Sequence, residues 1–254
     1  MQGRLALLLA VCILALTNSA ETNKASVPRV PILVELFTSE GCSDCPPADA
    51  FLEKLDQQPF AAAEMIVLSE HVDYWNHDGW KDPYSAHVFS DRQAAYAREF
   101  SLPTVYTPQM VVDGSSEFVG SNQSAASKAF AKAAVAPKID IRLASVSVDS
   151  TNNLFAHIET AGSVNQKADM FVVVALDHAE SQISGGENSG RKLSHTAVAQ
   201  LITKIGSIRK NQIFAENVYL KLPSNISADN LRVIAFAQQG QGEIVGAVMW
   251  PLRK

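Results

Sequence analysis

The sequence predicts an α/β domain followed by a mostly antiparallel, β-sandwich-like domain. Short apolar runs alternate with helical patterns as far as residue 135, the layout of helices around one central sheet. Ala136-Pro137-Lys138 then marks a change of texture, and the apolar segments beyond it are nearly all of strand length. Between the first strand-like run and the first helix lies Cys42-Ser43-Asp44-Cys45-Pro46, which holds two of the chain's three cysteines.

Residues 31–37 (PILVELF) are apolar and rich enough in branched side chains for a buried strand. Thr38-Ser39-Glu40-Gly41 turns the chain into the cysteines. Residues 46–55 follow as a helix, since prolines are tolerated in a first turn and Phe51, Leu52 and Leu55 share a face. Residues 65–72 predict a second buried strand and residues 85–100 a second helix. Residues 105–112 and 117–119, joined through Asp113-Gly114, predict a hairpin. Residues 121–135 predict an Ala-rich helix capped by Ser121 or Asn122. Past residue 138, strands are expected at 139–148, 154–160, 170–176, 217–222, 231–238 and 244–250, with one short helical piece at 195–205. The expected domains are therefore 30–135 and 138–254.

Residues 1–20 predict a secretory signal. Arg4 precedes an apolar run of twelve residues, 5–16, shorter than the ~20 a membrane-spanning helix needs. Thr17-Asn18-Ser19-Ala20 supplies small residues for cleavage, after Ser19, Ala20 or as late as Ala25. A lipoprotein cysteine at Cys12 and an uncleaved anchor are the alternatives. No later segment is long and apolar enough to span a membrane, so no stable insertion is expected after cleavage, and the location is periplasmic or secreted. The net charge of −5 argues against nucleic acid and anionic membrane surfaces as partners.

Export permits disulfides, and losing residues 1–20 leaves only Cys42 and Cys45. A thiolate is the nucleophile in disulfide exchange, and a helix N-terminus lowers its pKa. Cys42 is the expected attacking thiol and Cys45, one turn in, the resolving one. Acidic Glu40, Asp44 and Asp49 oppose the thiolate, and no Lys or Arg lies near the pair in sequence. A structural disulfide and half of a metal site are the rival readings, although four-ligand zinc needs two more ligands and no second CxxC exists.

Pro108, inside a strand-like run, lacks a ladder donor, and a cis bond after Thr107 is one reason to keep a proline there. The strand–CxxC–helix unit together with Thr107-Pro108 and its hairpin resembles the thioredoxin-like proteins. That resemblance implies that Pro108 sits beside Cys42 and positions a substrate backbone. Residues 71–84 (HVDYWNHDGWKDPY) leave the second strand on the cysteine side of the sheet. There Tyr74, Trp75, Trp80 and Thr107 suit substrate binding, unless the aromatics only pack a lid. His71, Asp73 and His77 are candidate metal ligands by residue type, as the alternative to the reading in which no metal and no cofactor is expected.

More specifically, residues 34–49 (VELFTSEGCSDCPPAD), the 71–80 loop, residues 106–114 and residues 186–196 (GENSGRKLSHT) resemble an exported bacterial family known as domain of unknown function 1223. The resemblance covers nearly the whole chain and implies a thioredoxin-like fold without an established substrate. Asp44, where such motifs often carry a small neutral residue, argues against a strongly oxidising pair. Residues 185–195, glycine-rich before the expected helix, suit either docking of the second half on the first or an anion cradle assisted by Arg191 and His195. The expected function is thiol–disulfide exchange with protein or small-molecule thiols and disulfides. The alternative is a binding module for a peptide, an envelope partner or a metal, with the disulfide structural.

Overall fold

A computed structural model describes residues 29–58, 63–223 and 226–252; the expected signal segment lies outside them. The chain is mostly β. In order it forms β1 (Val30–Thr38), α1 (Pro46–Gln57), β2 (Ala63–His71), α2 (His87–Glu99), β3 (Gln109–Val112), β4 (Ser116–Val119) and α3 (Gln123–Ala133). Then come β5 (Ile141–Val148), β6 (Asn153–Thr160), β7 (Ala168–Gln182), β8 (Lys192–Ile208), β9 (Ala215–Lys221), β10 (Leu231–Gln238) and β11 (Ile244–Pro251).

Eight strands from both halves make one mixed sheet, in the order β11-β10-β7-β8-β2-β1-β3-β4. Within it β1 pairs β2 in parallel, and β8 joins β2 in parallel at Ser69 and Val198. The remaining neighbours are antiparallel. A second sheet, β5-β6-β9, is entirely antiparallel. Between the two sheets lies an apolar core that joins Ile141, Leu154, Ile158 and Val218 to Val172, Val174 and Val233. On the other face of the large sheet, Phe89 of α2 packs with Leu33, Ile66, Val173 and Ile234. Leu52 of α1 and Phe130 of α3 share a core with Ile32, Val34, Leu36 and Val67.

The expected helix at 195–205 lies instead within the long strand β8. The alanines at 197 and 199 favour helix by propensity, but the segment is central in the sheet and residues 195–199 are buried on both faces. A strand covered on both sides shows no alternation, so its period could not be read. The hairpin is shorter than expected: its first strand begins at Gln109, directly after Pro108. Of the two expected caps for the third helix, Asn122 fills the role, accepting from the Ala125 amide.

Two buried ion networks tie the halves together. Arg232 of β10 bonds Asp56 on α1 and Asp177 beyond β7's midpoint. Arg92 of α2 donates to Glu35 on β1 at 2.6 Å and to Gln238 on β10 at 3.0 Å. Its guanidinium also lies over the rings of Tyr96, Phe171 and Phe236. Glu70 is fully buried beside this group; burial and the Glu35 charge push its carboxyl well above the ordinary range. Removing the cation would strand two buried glutamates. Arg92→Met is therefore expected to cost about 3–5 kcal/mol of unfolding free energy in urea titrations. A loss below about 1 kcal/mol, the scale of an exposed pair, would show that Arg92 is not an anchor.

Candidate functional site

Cys42 and Cys45 form a disulfide with a Cα–Cα separation of 5.4 Å, within the range an unforced bridge uses. Cys42 follows the turn after β1, and Cys45 is the N-cap of α1 with helical dihedrals (φ −77°, ψ −38°). Both residues are buried, at 2 % and 0 % exposure, while Ser43 and Asp44 between them are exposed.

The expected cradle of helix amides is largely missing. Pro46 and Pro47 open α1 and have no N–H to offer. The next two amides, of Ala48 and Asp49, are spent on the Cys45 carbonyl at 2.8 and 3.1 Å. A thiolate at Cys45 has the helix dipole for support but few hydrogen-bond donors from the helix.

What surrounds the pair instead is a buried cluster of acids and imidazoles. Asp49 lies one turn beyond Cys45 and is 6 % exposed; Glu40, before Cys42, is fully buried. Between them stands His195 of β8, its Nε2 3.3 Å from Glu40 Oε1 and its Nδ1 3.8 Å from Asp49 Oδ1. These are ion pairs rather than aligned hydrogen bonds, for the four atoms have no hydrogen-bond partner of good geometry. Burial alone would drive the proton off His195. The flanking carboxylates of Asp49 and Glu40 outweigh it and push the pKa up to about 10.

His71 ends β2 with its ring 4.7 Å from that of His195, and Tyr84 packs edge-on against both. His71 Nδ1 meets Asp82 Oδ2 at 2.7 Å. Burial raises the Asp82 carboxyl, but His71 and the amides of Glu40 and Tyr84 hold it below its usual range.

The 183–191 loop between β7 and β8 closes over the cysteine turn. Asn188, fully buried, donates through Nδ2 to the carbonyls of Glu40 and Cys42 at 2.8 and 2.9 Å. Arg191 fixes the other end of that amide by donating to its Oδ1 at 2.7 Å. Glu187 accepts from the Ser43 amide at 3.0 Å. Gly185 lies so close to Gly79 that an added Cβ would sit 2.2 Å from the Gly79 carbonyl oxygen. This loop docks the second half on the first. It opens a strand, not a helix, so the basis for the anion cradle is absent.

The expected substrate-binding residues are brought to the same place but are committed inward. Trp75 donates from Nε1 to Thr107 Oγ1 at 2.8 Å, and Trp80 from Nε1 to Glu40 Oε2 at 2.8 Å. Tyr74 donates to Gln93 at 3.1 Å. Thr107-Pro108 is cis. The Pro108 carbonyl accepts from Gly120 at 2.9 Å, and a Cβ on Gly120 would touch both Pro108 and Ala48 of α1. His71, Asp73 and His77 diverge. His71 turns inward to Asp82, Asp73 pairs with Ser90 and His87, and His77 is exposed beside Asp78. Among the described residues no group of three or more His, Cys, Asp or Glu side chains is placed to hold a metal ion.

Sequence reasoning missed Asn188 and Asp82, and treated Glu40 and Asp49 only as acidic neighbours. A polar residue inside a buried turn carries no periodic signal, and contacts across some 150 positions leave none in a single sequence. The exception is His195, noted within its glycine-rich segment for a different role.

The raised His195 pKa sets a pH dependence. Its ordinary value is 6.5 and its folded value about 10. The folded state thus holds the extra proton between these values. The stabilisation is complete below pH 6.5 and fades as pH rises towards 10. The wild type is expected to lose unfolding free energy across that window, and His195→Gln to show a flatter profile. Parallel curves for the two proteins would contradict the ion pairs.

A model of the family described as Protein of unknown function (DUF1223) matches residues 33–238. Protein AGR_C_4864 from Agrobacterium tumefaciens is 25% identical, with a TM-score of 0.71 over 90% of this chain and 97% of that one. HBP35 of Porphyromonas gingivalis shares the fold at 14% identity, with a TM-score of 0.63 over 87% of this chain and 75% of that one. No curated protein matches. With its family match running from β1 to the end of β10, and so through both the cysteine turn and the strand that carries His195, the chain belongs to the DUF1223 family.

Proposed function

We propose that this chain is an exported, thioredoxin-like thiol–disulfide oxidoreductase working through Cys42 and Cys45. The observation that carries the reading is the disulfide itself, bridging the turn between β1 and the first residue of α1. The cis Thr107-Pro108 bond and the short hairpin after it support the thioredoxin-like likeness. The N-terminal sequence supports export to the periplasm or beyond.

In the reducing direction Cys42 attacks a substrate disulfide and Cys45 resolves the mixed disulfide; in the oxidising direction a substrate thiolate attacks Cys42 and Cys45 leaves. Cys42 is assigned the outer role because exposed Ser43 follows it, whereas Cys45 is fully covered. Pro108 and Thr107 border the cysteine turn through Gly120, Ala48 and Trp75. The substrates are thiols or disulfides of proteins or small molecules.

The burial of Cys42 favours a second reading, a binding module in which the disulfide is structural. Cys45→Ser separates the two, because it removes the resolving thiol. It is expected to accumulate adducts through Cys42, visible on non-reducing gels of envelope extracts and lost on reduction. Cys45→Ser free of adducts would favour the structural bond.

A further inference from the structure

The cluster beneath the cysteines has a role that packing does not require. We propose that His195 is the proton source for Cys45 when the Cys42–Cys45 bond opens, passing its proton through the Asp49 carboxylate. The inference rests on the redox reading above.

A sulfur expelled at Cys45 departs into a fully buried site. Burial disfavours a thiolate, and so do the nearby carboxylates of Asp49 and Glu40. Pro46 and Pro47 provide no amide, and the Ala48 and Asp49 amides are occupied. The leaving sulfur therefore needs a proton as it departs.

His195 is built to hold one. The groups facing it are Glu40 from the turn after β1, Asp49 from α1, His71 from β2 and Tyr84 from the following loop. Behind them, Asp82 pairs with His71, Trp80 caps the other oxygen of Glu40, and Arg191 is held by Asn188. Cys45 and Asp49 stand four residues apart in helical conformation, where side chains share a face. The Asp49 oxygen turned towards His195 has no hydrogen-bond partner of good geometry. A purely structural bridge gains nothing from leaving both ring nitrogens and the two facing carboxylate oxygens imperfectly paired in a buried site.

The step balances as follows. A substrate thiolate attacks Cys42, and its lone pair forms the new S–S bond. The electron pair of the old bond leaves on Cys45 sulfur; the Asp49 carboxylate takes the proton of His195 and hands that same proton on to the sulfur, returning to the carboxylate. The products are the mixed disulfide, the Cys45 thiol and neutral His195, which regains its proton from solvent. A second thiolate then attacks the mixed disulfide and releases the Cys42 thiolate. His195 is thus a positioning and proton-storing residue, and Asp49, on the same helix face as Cys45, is the group assigned to pass the proton on.

Reduction by dithiothreitol, followed by stopped flow and expressed per thiolate, tests this. The wild-type rate is expected to be flat from pH 6 to about 9 and to fall as His195 loses its proton near 10. His195→Gln is expected to be about tenfold or more slower at pH 7, the low side of general acid catalysis, with no fall near 10. Asp49→Asn should lose the same factor while keeping His195, and serves if the first variant fails to fold by near-ultraviolet circular dichroism. His178→Gln, an exposed histidine beside Glu180, should match the wild type. A folded His195→Gln or Asp49→Asn protein with the wild-type rate and profile would overturn the proton role and leave the redox reading standing. A wild-type disulfide that dithiothreitol does not open in the folded protein would overturn both.

Discussion

The placement of β8 beside β2 is the constraint on which the rest depends. β2 carries Ser69 opposite Val198, and this parallel contact fuses the strands of both halves into one sheet. Three residues before Val198, β8 delivers His195 between Glu40 and Asp49. The loop leading into β8 at the same time sets Asn188 on the carbonyls of Glu40 and Cys42. The cysteine turn is thus made by the first half and completed by the second. Cutting the chain near residue 136 would leave Glu40 and Asp49 without their imidazole and the cysteine turn without its clamp.

That arrangement carries an energetic cost. Glu40, Asp49, His71, Asp82 and His195 are all nearly or wholly buried, and several of their polar atoms lack aligned partners. Isolated charges in such a place are very unfavourable, so they persist only as mutually compensating pairs. The large apolar cores on both faces of the sheet supply the stability that offsets them. Perturbed titration of buried groups, as at His195 beside the cysteine pair, concentrates in functional sites.

Much of the first half was legible in the sequence. The apolar run at 31–37, the Pro-started helix and the Asp113-Gly114 turn each carry a local physical signature, and their boundaries fall close to β1, α1 and the β3–β4 hairpin. The cis bond before Pro108 followed from the exclusion of proline from central ladders together with the thioredoxin-like resemblance. The strand β8 was not legible, because a strand buried on both faces loses its alternation and the alanines at 197 and 199 mimic a helix. The continuous sheet was hidden for a different reason: a parallel contact between residues 69 and 198 leaves no local trace. Of the site, the cysteines, the aromatic loop and Thr107-Pro108 could be named in advance. The buried acids could not be given their roles, since whether Glu40 faces water or an imidazole depends on what β8 brings to it.

The reduction potential of the Cys42–Cys45 pair, measured by equilibration of the purified protein with glutathione and dithiothreitol buffers, tests the central claim most directly. An exchanging pair with acidic neighbours and few helix amides is expected towards the reducing end of the range from about −120 to −270 mV. A value below about −300 mV, with no reaction with glutathione, would mark the bond as structural and contradict the redox function.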